Sequence, residues 1–213
     1  MKVVKREYRS PLREASARAT RAAILSAATR LFVEEGYVAT SVDAIAEAAG
    51  VSRATIFATF GGKAALLKAA YDVALVGDDE PIALPDRARS KAVQAEPDPA
   101  RLLEGYAEVC SEIGGRLAPI YEAVRGGASA DPEARQVWEK IQAERRIGGT
   151  NVVKLITARR ALRKDLDRES AGDLVWVLND PGLYFMLVHR RRWSPARFQA
   201  WLAQTLKTQL LGG

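Results

Sequence analysis

Residues 40–63 read TSVDAIAEAAGVSRATIFATFGGK, and the reading of this stretch decides the fold. Val42, Ile45, Ala46 and Ala49 recur at helical spacing and give a first short helix one apolar face. Gly50 follows directly, where a helix C-terminus takes a residue that tolerates positive φ. Ser52 then caps a second helix, Arg53 to about Phe60, whose apolar members are Ile56 and Phe60. Helix, glycine-containing turn, helix is the DNA-binding helix-turn-helix pattern. Ser52, Arg53, Thr55 and Thr59 lie mostly toward the start of the second helix, the end that meets base edges in such motifs. Two short helices around a glycine also occur in helical domains that bind no DNA, so the pattern alone leaves both readings open.

The order of residues is more specific than the pattern. Ile45-Ala46, Ala49-Gly50-Val51-Ser52, Arg53, Ala54, Thr55-Ile56-Phe57, Phe60, Lys63 and Leu66-Leu67 together resemble the signature of the TetR family of bacterial transcriptional repressors. The resemblance is specific over about residues 20–70 and rests on helical organisation beyond. It implies an all-α chain, with an N-terminal three-helix DNA-binding head joined to a larger C-terminal helical body for ligand binding and dimerisation. The corresponding segments are a basic flexible arm at 1–19, a helix-turn-helix domain at 20–62 and the body at 63–213. The implied function is a ligand-responsive transcriptional regulator, a repressor that binds a palindromic double-stranded operator as a homodimer through about 168–210. A small-molecule inducer in the body would release it. The alternative is a helical ligand-binding or protein-interaction module without sequence-specific DNA binding.

Candidate DNA contacts follow from position and chemistry. Thr40 stands at a helix start, where phosphate binds, and Lys63 follows the second helix as another phosphate candidate. Arg53 is the best base reader, because a guanidinium binds guanine O6 and N7 bidentately. Thr55 suits a base or a thymine methyl, with Ser52 and Thr59 as supporting polar contacts. The family usually has tyrosine where this chain has Phe57, and often an aromatic or histidine around Ala58 and Thr59. Phe57 lacks a hydroxyl for phosphate but can pack on sugar or a thymine methyl.

Charge supports a basic head. Residues 1–70 hold 11 Lys/Arg against 6 Asp/Glu, whereas residues 71–213 hold 21 against 20. Lys2, Lys5, Arg6, Arg9 and Arg13 in the arm could add phosphate or minor-groove contacts. The one cysteine, Cys110, excludes an intramolecular disulfide. No apolar run reaches the ~18–20 residues of a membrane span, and the N-terminus has no apolar signal core. A cytoplasmic protein with no membrane partner is expected.

Around the motif the chain reads as helices. Ile24, Ala27, Ala28, Leu31 and Phe32 form one face of a helix from about Thr20 to Glu35, ended by Gly36. A fourth helix, about 63–76, leads from head to body. In the resembled family this helix transmits ligand binding to the spacing of the heads. Residues 77–98 hold Pro81, Pro85 and Pro97 and read as a long connection with a short helix around 87–94. Helices follow from Pro99 to about Ile113, broken at Gly114-Gly115, then over 116–127, then from Pro132 to about Arg160, with a kink expected near Gly148-Gly149. The last are 168–178, a segment after the Asn179–Gly182 interruption, and a helix from Pro195 to about Leu210.

Nothing signals catalysis. His189, the sole histidine, stands beside Arg190, Arg191 and Arg192 near a helix end, which suits a solvated position. Cys110 lies on an apolar face, His/Cys metal-ligand spacing is absent, and no carboxylate pair is recognisable. The chain is expected to be no enzyme, with no cofactor and no metal. The body offers aromatics instead. The ligand pocket of the resembled family would fall near Tyr106, Cys110, Leu117, Tyr121, Trp138 and Trp176, although for any one of them plain core is the better reading.

Overall fold

The computed structural model describes residues 11–212. Its first helix, α1 (Pro11–Glu34), buries Ile24, Leu25, Ala27, Ala28, Leu31 and Phe32. The expectation of a flexible arm over 1–19 needs correction: residues 11–19 are the first turns of α1. The stretch LREASARA carries mostly strong helix formers, and proline is tolerated at the first helical position. Lys2, Lys5, Arg6 and Arg9 lie outside the described residues.

The helix-turn-helix forms as its caps dictate. Ser41 accepts from the Ala44 N–H to start α2 (Val42–Ala49), and Gly50 ends it in the left-handed region at φ 67°. Ser52 accepts from the Thr55 N–H to start α3 (Arg53–Phe60), and Gly61 ends that helix. Helix α4 (Lys63–Val76) then runs from head to body. The connection beyond it holds a 3-10 turn (Leu84–Asp86) and α5 (Ala88–Ala95).

The body is built on α6 (Pro99–Ala128), capped by Asp98, and α7 (Pro132–Ala158), capped by Asp131. The expected break at Gly114-Gly115 does not occur, and α6 is one helix. Gly114 serves close packing instead: a Cβ there would lie 2.5 Å from a ring carbon of Tyr184. Gly149 likewise lets α7 approach the backbone of α8 (Arg168–Leu178), where a Cβ would stand 3.1 Å from the Gly172 carbonyl oxygen. After the interruption comes α9 (Pro181–Tyr184), which widens into a π-helical segment, Phe185–Arg190. The last helix is α10 (Pro195–Leu210). Among the described residues there is no strand, only an isolated antiparallel bridge between Leu162 and Leu211.

Two cores result. One runs without interruption from the head (Ile24, Phe32, Ile45, Ile56) through α4 (Leu67, Ala70, Tyr71) into α6 and α7 (Leu117, Ile120, Tyr121, Ile141). The other joins α6, α7, α8, α9 and α10 through Leu102, Val153, Val175, Tyr184, Phe198 and Leu206. The expected boundary after residue 62 therefore falls within a shared core.

A Gly114→Ala variant is expected to lose about 1–3 kcal/mol of stability through forced displacement of a buried ring. Gly126→Ala, on the same helix with open space around the added methyl, should be neutral or stabilising by up to about 1 kcal/mol. Urea denaturation of both variants checks the pair.

Candidate functional site

Helix α3 presents one outward stripe. Arg53, Ala54, Phe57 and Ala58 are exposed while Ile56 is fully buried, as expected where positions i, i+1, i+4 and i+5 share a face. Phe57 is 41% exposed, and the Arg53 guanidinium lies 5.4 Å from its ring centre. Arg53 also pairs with Asp43 of α2 at 2.7 Å. Such an exposed pair is worth only about 0–1 kcal/mol, so it holds the guanidinium without locking it.

The remaining candidates in the head are more committed to the protein. The Ser52 hydroxyl caps α3 and stands 2.8 Å from the Thr55 hydroxyl. Thr59 donates back to the Thr55 carbonyl at 2.7 Å. The Lys63 ammonium sits 4.1 Å from the Tyr37 ring centre, and burial lowers its pKa against the opposing pull of Asp131.

Thr40 departs from its expected place. It is 1% exposed, and its hydroxyl is directed at the carbonyls of Leu31 at 3.1 Å and Gly36 at 2.8 Å. Ser41, not Thr40, caps α2. The threonine therefore ties the end of α1 to the start of α2, with its hydroxyl committed to those two carbonyls.

The six body candidates do not form one pocket. Tyr106, Cys110 and Leu117 line a cavity of about 440 Å³ between α4, α6, α7, α9 and α10. Tyr121, Trp138 and Trp176 line a separate cleft of about 510 Å³, with Glu122, Arg125, Phe185 and Arg190. Asp180 borders both.

Between the two lies a polar partition that sequence reasoning missed. The Arg145 guanidinium donates to the Tyr121 hydroxyl at 3.3 Å, the Gln142 side-chain oxygen at 2.6 Å, the Trp176 carbonyl at 2.7 Å and the Asn179 side-chain oxygen at 3.0 Å. It also pairs with Asp180 at 2.9 Å, and its own side chain is only 8% exposed. Tyr121 donates to Asp180 at 2.8 Å. Asp180 additionally caps α9 through the Gly182 N–H. The Asn179–Gly182 interruption was the available signal: it ends α8 so that Asn179 and Asp180 can meet an arginine of α7.

Burial sets the ionisation of the cavity wall. It pushes the Cys110 thiol up to about 12, and it raises the Tyr106 phenol well above the tyrosine range. Both residues keep accessible surface, which faces the cavity. A buried thiol raised in this way is a poor nucleophile. Among the described residues no cluster of three or more His, Cys, Asp or Glu side chains could hold a metal ion, and no helix is long and apolar enough to cross a membrane.

With this geometry in hand, comparison with known proteins is informative. A family model described as bacterial regulatory proteins, tetR family, matches residues 24–70. The chain is 30% identical over 169 residues to an uncharacterized HTH-type transcriptional regulator, YdeS, of Bacillus subtilis (strain 168), a match covering 79% of each chain. Among solved structures it resembles NalD, the secondary repressor of the MexAB-OprM multidrug efflux pump in Pseudomonas aeruginosa. That match has 22% identity and a TM-score of 0.72, and covers 92% of this chain and 98% of the other. The transcriptional regulator FadR from Bacillus subtilis, solved with stearoyl-CoA, matches at 17% identity and a TM-score of 0.70 over 88% of this chain and 98% of its own. A putative transcriptional regulator from Saccharomonospora viridis, solved with choline, matches at 17% identity and a TM-score of 0.65 over 91% and 98%.

Thr40→Val keeps the shape but removes the buried hydroxyl's bonds to the Leu31 and Gly36 carbonyls, which keep only their backbone donors, Glu35 N–H and Thr40 N–H. It should cost about 1–2 kcal/mol of stability, read as a lower denaturation midpoint; a threonine that served only phosphate would leave the midpoint unchanged. Cys110 should react with iodoacetamide far more slowly at pH 8 in the folded chain than in urea, because a thiol raised to about 12 carries almost no thiolate there.

Proposed function

The chain belongs to the TetR family of bacterial regulatory proteins and is a transcriptional regulator; from that premise we propose that it is a repressor released by a small molecule. Two copies would pair through the region of about 168–210 and set two α3 helices against a palindromic operator, with half-sites ~34–36 Å apart or a multiple of it. The observation that carries the reading is the exposed stripe of α3, where Arg53 and Phe57 stand outward on a helix whose other side is sealed by Ile56.

Residue roles follow from what each side chain has left to offer. Arg53 exchanges its pair with Asp43 for a guanine edge. Phe57 packs on sugar or a thymine methyl. Ser52 and Thr55, already bonded to each other, present hydroxyl lone pairs at the start of α3, and Thr59 gives shape more than hydrogen bonds. Lys63 reaches phosphate from its place over Tyr37. Thr40 acts through α2, by holding it to α1.

The cavity of about 440 Å³ is the effector site on this reading, since its size lies within the ~300–1,000 Å³ of small-molecule pockets and its wall is mostly apolar. Proteins of this fold solved in complex with choline and with stearoyl-CoA support a small-molecule ligand. The body candidates Tyr106, Cys110 and Leu117 belong to that site. Tyr121, Trp138 and Trp176 belong to the neighbouring cleft, which reaches Val177 and Met186, two apolar side chains each 52% exposed. Their exposure suits the pairing surface. The chain would work without a catalytic step, in the cytoplasm.

Gel shifts and footprinting on the DNA upstream of its own coding segment should reveal binding and a protected palindrome. Arg53→Ala should weaken binding by about 1–3 kcal/mol and relax the base preference at one position of each half-site. A wild-type protein without sequence preference at low salt would sink the reading. So would binding that does not weaken as salt rises, since phosphate contacts release counterions.

A further inference from the structure

We infer that the cavity beneath α4 selects an uncharged, mostly apolar molecule bearing a hydrogen-bond acceptor, such as an aryl ketone or ester, and that the Tyr71 hydroxyl is the donor that reads it. The inference rests on the proposed reading of the cavity as the effector site.

Charge comes first. The charged side chains on the wall are Glu144, Arg145 and Asp180. Arg145 and Asp180 satisfy each other at 2.9 Å, and Glu144, at the exposed rim, is paired with Lys68 at 3.3 Å. No counter-charge is left over for a ligand. A carboxylate would be buried beside Asp180 with the arginine already taken, and an ammonium would face a carboxylate that already carries its partner. Burying a charge without a partner is costly enough to exclude both classes.

Hydrogen-bonding capacity comes next. The Tyr106 hydroxyl accepts from the Asn179 side-chain amide at 2.8 Å, and its own proton is taken up by the Cys110 sulfur. Tyr71 and Tyr184 differ. Both rings are buried, at 2% and 4% exposure, and both line the cavity. Neither hydroxyl has a hydrogen bond to any described residue. The side-chain polar atoms that are both unpaired and sealed from open space are Arg145 Nε, Thr157 Oγ1 and Trp176 Nε1. The two phenol oxygens are not among them, so each keeps accessible surface, and both residues line the cavity. Burial raises the Tyr71 phenol far above neutrality, with the approach of Arg145 opposing, so it keeps its proton and donates. A phenol O–H in a mostly apolar wall asks for an acceptor.

Tyr71 and not Tyr184 couples to DNA because of where it sits. Tyr184 is fixed against Gly114 at the centre of the body. Tyr71 is on α4, the helix that continues from the head. A ligand shifts a conformational equilibrium only by contacts that differ between the two states. A bond to the helix that carries the head is such a contact, and one to the body's fixed interior is not.

The test is calorimetric titration of four matched probes: 2-acetylnaphthalene, 2-ethylnaphthalene, 2-naphthoate and 2-naphthylmethylamine. The ketone is expected to bind about 5-fold or more tighter than the ethyl compound, the worth of one neutral hydrogen bond. The anion and the cation should bind at least about 10-fold more weakly than the ketone. Tyr71→Phe removes one oxygen and keeps the ring, so the fold should persist while the ketone falls to the affinity of the ethyl compound. Equal binding of ketone and ethyl compound, or a preferred anion or cation, overturns the inference and leaves the effector cavity standing. Loss of the preference in Tyr184→Phe but not in Tyr71→Phe overturns the role of Tyr71. Failure of all four to bind overturns the effector cavity itself and the inference with it.

Discussion

Two tyrosine rings pressed against glycines of α6 set the spacing of everything else. Tyr184 lies against Gly114, and Tyr37, from the turn of the head, lies against Gly127, where a Cβ would stand 2.8 Å from its ring. The first contact fixes the segment after α8 to the middle of the body. The second fixes the head to the end of the same helix. Because interiors are packed to crystal-like density, a displacement at one glycine cannot be absorbed by slack before it reaches the next element. Helix α6 packs against α1, α4, α5, α7, α9 and α10, so its two glycine seats tie head and body into one frame.

Helix α4 has a different relation to that frame. Its apolar side belongs to the core shared by head and body, but its end is held by hydrogen bonds: the Arg116 guanidinium of α6 donates to the carbonyls of Ala74 at 3.3 Å and Leu75 at 3.4 Å. Farther along, Arg21 of α1 pairs with Asp79 just past Gly77 at 2.6 Å. Long hydrogen bonds and an exposed ion pair are weak holds beside the sealed core. The far end of α4 is thus the place where the connection between head and body yields at least cost, and the cavity lies against it.

What the sequence disclosed and what it hid follow one rule. Ser52 and Gly50 were legible because capping is local: the partner of Ser52 is the N–H three residues on, and Gly50 needs only its own φ. Gly114-Gly115 looked like a break by the same local logic, yet the partner of Gly114 is Tyr184, seventy positions away. Thr40 looked like an outward phosphate contact at a helix start, and only the return of α1 beneath it engages the hydroxyl with the Leu31 and Gly36 carbonyls. The candidates around the aromatics were near the right region but were assigned to one pocket, because the Arg145–Asp180 partition joins α7 to the end of α8. No local pattern distinguishes that arginine from the exposed Arg146 beside it.

The partition also bears on how a ligand could act. Arg145 contacts the Tyr121 and Trp176 rings, with its charge 5.7 and 5.6 Å from their centres, while its neighbour Glu144 pairs with Lys68 of α4. Adjacent residues on one turn of α7 therefore face opposite tasks: one closes the wall between two cavities, the other holds α4. A molecule that fills the cavity presses on the first and on Tyr71 at once. Since breaking the buried pair of Arg145 would leave an uncompensated charge, whereas the Glu144–Lys68 pair is partly exposed and screened, the strain is relieved at α4 and not at the partition. On the proposed reading, the direction of the response is thereby set by the relative cost of breaking two ion pairs: the body keeps its shape, and the helix that carries the head moves.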